Sequence, residues 1–338
     1  MPSPSPRSPL RVGLLGAGTV GSAVVRALLE APERLAPFDG ARLVLAGVAV
    51  RDTAKAAAAG IPEALLTDAP AHLVASPEVD MIVELMGGDE PARTLIAAAL
   101  AAGKPVVTAN KHVIAHHGPA LEALARSTGT ALRFEAAVGA GIPILDAIAA
   151  DLASNRVERV RGIVNGTTNF ILGAMTERKR AYDAALLDAQ RAGYAEADPA
   201  ADVEGDDALN KLVILARLAF GQWLRPASIE RRPATANGLG LPGISGVTAA
   251  EVAAAAVHGL RLKLIVDGRR AQGTGPAGIE ASVQPVAVAA ESGFGRTGGV
   301  FNRIEVDAEP LGRLELSGPG AGGGPTGSAV LGDLIAIA

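Results

Sequence analysis

The stretch Leu10-Arg11-Val12-Gly13-Leu14-Leu15-Gly16-Ala17-Gly18-Thr19-Val20-Gly21 decides the fold. A short, mostly apolar run of strand length gives way to glycines spaced G-x-G-x-x-G, and the residues from Thr19 to Glu30 then read as a helix. In that pattern Gly16 makes the tight turn, Gly18 lets backbone approach a pyrophosphate, and Gly21 allows close helix–strand packing. A diphosphate would sit on the helix N-terminus, where unpaired N–H groups favour anions, with Ala17, Thr19 and Val20 completing the turn. The reading is a dinucleotide-binding fingerprint.

Working outward, short continuous apolar runs recur at 43–50, 81–85 and 105–108, as expected of strands buried on both faces. Helical patterns lie between and after them, at 54–59, 91–102 and 112–127. Such alternation predicts an α/β fold whose N-terminal domain is a Rossmann-type, doubly wound parallel sheet. The character changes after Phe134-Glu135, where a Gly-rich passage, Val138-Gly139-Ala140-Gly141-Ile142-Pro143, leads into a helical run at 144–155. A strand-like 160–164, helices near 181–192 and 206–220, and strand-rich sequence over 260–316 predict a second, mixed α/β domain. The expected organisation is a disordered tail at 1–9, a nucleotide-binding domain at 10–138, a substrate-binding and dimerisation domain at 139–316, and a C-terminal segment, 317–338, returning to the first domain.

Composition supports this. At 338 residues, 49% hydrophobic and 20% charged, the chain is globular and long enough for two domains. A net charge of −4 excludes non-specific nucleic-acid binding, which needs a concentrated basic surface. No cysteine means no disulfide, thiolate nucleophile or cysteine metal site. His72, His112, His116, His117 and His258 form no metal-ligand spacing. No apolar run approaches a membrane span, and the Pro/Ser-rich N-terminus lacks the apolar core of a signal peptide, so a cytoplasmic protein is expected. Of the 31 basic residues only six are lysines: Lys55, Lys104, Lys111, Lys179, Lys211 and Lys263.

The cofactor preference is read after the second strand, where Val50-Arg51-Asp52 stands. Arg51, with Lys55 close behind, favours the 2′-phosphate of NADP; Asp52 pulls towards the ribose hydroxyls of NAD. NADP is favoured and NAD stays open. Further along, Thr108-Ala109-Asn110-Lys111 falls at a strand's C-terminal end, where doubly wound sheets place their ligands. Lys111 can there reach a nicotinamide or a substrate. Gly87, just past the 81–85 strand, is counted with the cofactor contacts.

The densest polar chemistry runs from Gly193 to Lys211 and includes Glu196, Asp198, Asp202, Glu204, Asp206 and Asp207. Asp206 or Gly205 caps the apolar helix that follows, and Asp207 and Lys211 share one face at i, i+4. The plain alternative is an exposed ion pair on a helix surface. Metal binding is disfavoured because the cluster has no histidine and lacks EF-hand spacing. A site for a cationic substrate group with a proton donor fits best.

Together these residues resemble homoserine dehydrogenase over nearly the whole chain. The similarity rests on the Gly16–Gly21 fingerprint, Thr108 to Lys111, Glu135 to Pro143, and Asn165-Gly166-Thr167-Thr168-Asn169-Phe170. It rests further on Ala189, Gly193-Tyr194, Asp198-Pro199, Asp202-Val203, Gly205, Asp207 and Lys211, and on Gly318-Pro319-Gly320-Ala321-Gly322 with Pro325-Thr326. The resemblance implies NAD(P)-linked interconversion of L-homoserine and L-aspartate 4-semialdehyde, a step towards threonine, methionine and isoleucine. It makes Lys211 the proton donor and Lys111 a second catalytic lysine beside the nicotinamide. It puts Asp207 in contact with the substrate; on chemical grounds Asp207, Glu196 and Asp202 suit the substrate ammonium, and Asn165, Thr167 and Thr168 its carboxylate. Gly193 and Glu196 line the substrate and nicotinamide region, and Gly322 adds a cofactor contact.

Glu135, Val138, Ala140 and Ile142 correspond to a monovalent-cation site, sodium, for which carbonyls two residues apart in extended chain would point the same way. A homodimer is implied. The chain stops at Ala338, so feedback through a C-terminal ACT regulatory domain is not expected. Two other readings are a related two-domain amino-acid dehydrogenase and a nucleotide sensor without turnover. Asp207 and Lys211 favour catalysis.

Overall fold

The computed structural model describes residues 8–30, 32–35, 41–233, 241–271 and 278–338. Apart from Ser8 and Pro9, the expected tail at 1–9 lies outside the described residues. The chain forms two compact units, one of Met1–Gly141 with Gly322–Ala338, the other of Ile142–Ala321.

The first unit begins with β1 (Leu10–Leu15), α1 (Thr19–Glu30), β2 (Leu43–Ala49), α2 (Thr53–Ala58), β3 (Leu66–Thr67) and α3 (Pro70–Ala75). It continues through β4 (Met81–Glu84), α4 (Ala92–Ala101), β5 (Val106–Thr108), α5 (Lys111–Thr128) and β6 (Leu132–Arg133). The strands lie in the order β3-β2-β1-β4-β5-β6, every pair parallel. Chain direction across the sheet reverses between β1 and β4, so the loops after these two strands share the crevice where such sheets bind ligands. The apolar runs earn their burial: Val12, Leu14 and Leu15 of β1 and Ile82 and Val83 of β4 are fully covered. At 25–30 cal/mol per Å² of apolar surface, each such side chain contributes roughly 1.5–3 kcal/mol. β3, α3 and β6 are additional to the sequence expectation; two-residue strands carry too little periodicity to be seen, and α3 is a short six-residue helix opened by Pro70.

The second unit opens with a helical turn wound as π-helix at Ala147–Asp151 where an ordinary helix is expected. Then follow β7 (Arg156–Ile163), α6 (Gly166–Glu177), α7 (Tyr182–Arg191), α8 (Ala200–Val203), α9 (Asp206–Phe220), β8 (Glu230–Arg231) and α10 (Ala249–Val257). β9 (Leu260–Arg270), β10 (Ile279–Ala289), α11 (Gly293–Arg296), β11 (Phe301–Glu309) and β12 (Gly312–Pro319) complete it. The sheet order is β12-β11-β7-β9-β10-β8, antiparallel except for the short β8–β10 pair. α9 packs on one face: a Cβ on Gly268 would touch Phe220 and Leu212. Lys263, Leu264, Ile265 and Val266 are buried in succession, which requires cover on both sheet faces at that level.

The chain then re-enters the first unit as α12 (Gly323–Ile337). Its Val330 and Leu334 join Val12, Val24 and Val83 in one core. Asp333, 1% exposed, accepts from Arg133 Nε at 2.8 Å and from the Glu135 backbone N–H at 2.9 Å. That clamp fixes the end of the first sheet. No helix among the described residues is long and apolar enough to cross a membrane.

Candidate active site

In the first unit the fingerprint glycines are sterically distinct. Gly16 has φ +93°, and a Cβ there would stand 2.8 Å from the Leu85 carbonyl oxygen, so the turn after β1 lies flush on the loop after β4. A Cβ on Gly21 would fall 2.0 Å from Gly16 O, leaving no room for any side chain between helix and turn. Gly18 faces open space, with no atom within 4 Å of its would-be Cβ. An open, side-chain-free backbone at a helix start is what a diphosphate needs. The C-terminal segment supplies a second glycine turn at the same place: a Cβ on Gly323 would be 2.7 Å from Thr19 O, next to Gly322. The residues present fit a dinucleotide.

The rest of this sheet edge is organised by Glu84, which sequence reading passed over. Wholly buried at the end of β4, it accepts from the Met86 and Gly87 N–H groups at 2.7 and 3.3 Å and from Thr108 Oγ1 at 2.6 Å. Thr108 Oγ1 in turn accepts from Asn110 N, and Asn110 caps α5 through Val113 N while its Nδ2 donates to Gly88 O. The network joins the loops after β4 and β5 and places Lys111 as the first residue of α5. A carboxylate closing the apolar run Met81-Ile82-Val83 was the available signal. On the far side of the edge, Asp52 Oδ1 is engaged as the N-cap of α2, accepting from Lys55 N at 2.8 Å. Arg51 beside it is exposed.

In the second unit the acidic cluster converges on Lys211. α9 begins at Gly205, a left-handed N-cap without a side chain; Asp206 does not cap but pairs with Arg231. Asp207 and Lys211 are both buried, and Lys211 Nζ donates to Asp207 Oδ2 at 2.7 Å and to Val164 O, just past β7, at 2.6 Å. The plain alternative of an exposed ion pair is therefore set aside. Asn165, the N-cap of α6, donates through Nδ2 to Asp207 Oδ2 at 2.8 Å and to Asp202 Oδ1 at 2.7 Å. One amide thus aligns two carboxylates. Burial and the neighbouring Asp207 charge push the Asp202 carboxyl up from its ordinary range.

Thr167 Oγ1 donates to Tyr194 O at 2.7 Å and Thr168 Oγ1 to Asn165 O at 3.1 Å. Asn165, Thr167 and Thr168 thus direct these donors to protein groups, where the sequence chemistry suggested a substrate carboxylate. Gly193 and Glu196 are exposed on the adjoining loop, which Gln190 Nε2 holds by the Glu196 carbonyl at 3.1 Å. The Val164 and Tyr194 carbonyls were missed because main-chain acceptors have no sequence signature.

The passage expected to hold a cation is not extended throughout. Glu135 starts a 3-10 turn, Val138 is extended, and Ala140 is left-handed at φ 53°. Carbonyls along it do not alternate as in a strand, because a turn rotates successive peptide planes. Among the described residues no three His, Cys, Asp or Glu side chains group to hold a metal.

A parallel sheet with a glycine fingerprint, joined to a unit bearing a buried lysine among carboxylates, defines a nicotinamide-dependent oxidoreductase. The NAD-binding domain of homoserine dehydrogenase matches residues 16–135, and the homoserine dehydrogenase domain matches 143–335. The homoserine dehydrogenase of Corynebacterium glutamicum is 42% identical over the whole chain and 74% of its own length. The crystal structure of a homoserine dehydrogenase from Thiobacillus denitrificans is 42% identical, with TM-score 0.88 over 98% of this chain and 73% of that one. A hyperthermophilic archaeal homoserine dehydrogenase solved in complex with NADPH is 26% identical, with TM-score 0.79 over 97% of each chain. The chain belongs to the homoserine dehydrogenase family, and its activity is the NAD(P)-linked interconversion of homoserine and aspartate semialdehyde in amino-acid biosynthesis.

Proposed function

We propose that this enzyme is a cytoplasmic homodimer that uses NADPH in preference to NADH, with Lys211 as proton donor. The observation carrying the lysine's role is its buried Nζ, fixed between Asp207 Oδ2 and Val164 O. When bound at the glycine turn, NADPH supplies the hydride for the aldehyde carbon. Lys211 then meets the negative charge growing on the aldehyde oxygen, by electrostatic attraction and by giving up a proton. Asp202 and Asp207, aligned by Asn165, take the substrate's ammonium; its positive charge offsets the burial and the Asp207 repulsion that together raise the Asp202 carboxyl. Glu196 and Gly193 line the approach to this site, and Lys111 orients the nicotinamide end.

The cofactor preference follows from Asp52. With one carboxylate oxygen capping α2, the acid is the weaker claimant on a ribose, and exposed Arg51 is left to grip a 2′-phosphate. The archaeal relative solved in complex with NADPH is consistent with that choice. A sodium ion at Glu135, Val138, Ala140 and Ile142 is kept as a proposal, to be read from the dependence of rate on Na⁺ against K⁺.

The test is a parallel assay of the purified protein with NADPH and NADH, with and without aspartate semialdehyde. NADPH turnover that exceeds NADH turnover, with the gap narrowed by Arg51→Ala, is the expected result. A larger rate with NADH would overturn the preference, and a near-normal kcat in Lys211→Ala would overturn the proton-donor role.

A further inference from the structure

A second buried lysine stands in the same unit. Lys263, 3% exposed in the middle of β9, donates to Asn169 Oδ1 at 2.7 Å and to Thr297 O at 2.6 Å. Among the described residues no acidic group lies within ion-pair distance of it. Burial, with Arg261 nearby, pushes its ammonium down to about 8. An isolated buried charge of this kind is poor value for stability, since apolar replacements of buried ionic groups are often neutral or stabilising. A lysine at this place needs a reason other than stability.

The reason lies in what Asn169 holds. Asn169 is one turn into α6, and its Nδ2 faces Thr297 O, Gly299 O and Phe301 O at 3.3, 3.0 and 3.3 Å. An amide has one acceptor and one donor end; Lys263 on the acceptor end fixes which way the amide faces. At the first turn of the same helix Gly166 lies against the same loop, where a Cβ would come 2.8 Å from Val300 O. The start of α6 is therefore seated on residues 297–301 by a glycine contact and an amide whose orientation the lysine sets. That same start carries Asn165, which aligns Asp202 and Asp207.

We infer that Lys263 is a positioning residue of the substrate site: through Asn169 it seats the start of α6, and so aims the Asn165 amide at Asp202 and Asp207. The inference rests on the proposed reading of those two carboxylates as the substrate-ammonium site.

The experiment uses the full chain with Lys263→Met, Asn169→Ala and the double variant, measuring homoserine KM, kcat, NADPH Kd and melting temperature. The expected result is a homoserine KM raised about tenfold or more in each single variant, the scale of a lost charged hydrogen bond. NADPH Kd stays within about twofold, and the double variant adds little to KM, because each change already breaks the Lys263–Asn169 bond through which the lysine acts. A purely structural role would lower the melting temperature and leave homoserine KM within about twofold of the parent; that result overturns the inference. If Lys263→Met does not fold, Asn169→Ala decides by the same KM criterion. Asp207→Asn separates the two levels. Homoserine KM raised in Asp207→Asn but unchanged in Lys263→Met overturns the Lys263 inference alone; KM unchanged in both overturns the site reading and the inference with it.

Discussion

Lys211 Nζ and Asp207 Oδ2 lie 2.7 Å apart, one helical turn from each other and both shielded from solvent. Breaking such a pair from one side leaves an uncompensated buried charge. Asp207→Ala should therefore cost about 3–5 kcal/mol, measured as a lowered urea midpoint at constant slope. Lys211→Met should lower kcat by about 10²–10⁴-fold, the usual share of general acid catalysis, with NADPH affinity measured by fluorescence unchanged.

The fingerprint glycines should separate folding from binding. Gly18→Ala meets no atom within 4 Å and should fold with parental stability, yet bind NADPH at least about tenfold more weakly as its methyl enters the phosphate approach. Gly21→Ala, with its Cβ 2.0 Å from Gly16 O, should yield insoluble or molten protein. Circular dichroism and NADPH titration of the two variants decide the matter; equal behaviour would contradict the assignment of separate roles.

Asp202 predicts an inverted pH dependence of stability. Its carboxyl is pushed up in the folded protein by burial and by Asp207, so the folded state binds that proton more tightly than the unfolded chain. The contribution is therefore favourable at low pH and is lost as pH rises through the raised value. Asp202→Asn keeps an acceptor for the Asn165 amide without the charge, and should melt at a higher temperature than the parent at about pH 8. The difference should close below about pH 4, where an ordinary aspartate is itself protonated. Homoserine KM should rise in the same variant. A lower melting point at about pH 8 would show that the repulsion is not what sets this carboxyl.

Glu84 accepts from two main-chain N–H groups and one hydroxyl. A glutamine there turns an NH₂ towards a donor. Glu84→Gln should cost about 1–3 kcal/mol, the penalty of an unsatisfied buried polar group, and raise NADPH KM because the loop after β4 loses its anchor. Chemical denaturation and initial rates at varied NADPH check both.

Legibility in the sequence followed the length of the signal. The span Leu10–Glu30 was readable because strand, glycine turn and helix reinforce one another, and Asp206–Phe220 because twelve of its fifteen residues are buried around a regular repeat. β3 and β6, two residues each, were not readable. Among site residues, Asp207 and Lys211 were visible as an i, i+4 pair, but the i, i+4 spacing alone could not say whether they were exposed or buried. The Val164 carbonyl that accepts from Lys211 lies 47 positions away, a contact no local spacing reports. The turn at Glu135–Ala140 is not legible because alanine, valine and glycine carry no strong local preference for or against it, and the Glu135 N–H is held by Asp333, nearly two hundred residues downstream.

Gly141 closes the first unit's opening segment, and a Cβ on it would lie 3.1 Å from the carbonyl of Pro325, just inside the segment that returns. The strand of chain leaves and comes back at one doorway. The 180 residues of Ile142–Ala321 are thus an insertion spliced into a nucleotide-binding fold whose own ends already meet. Such an arrangement asks little of the host: its loop-closure cost grows only logarithmically with whatever length is inserted. A chain joining Gly141 directly to Gly322 through a short linker should therefore fold as the nucleotide-binding unit alone.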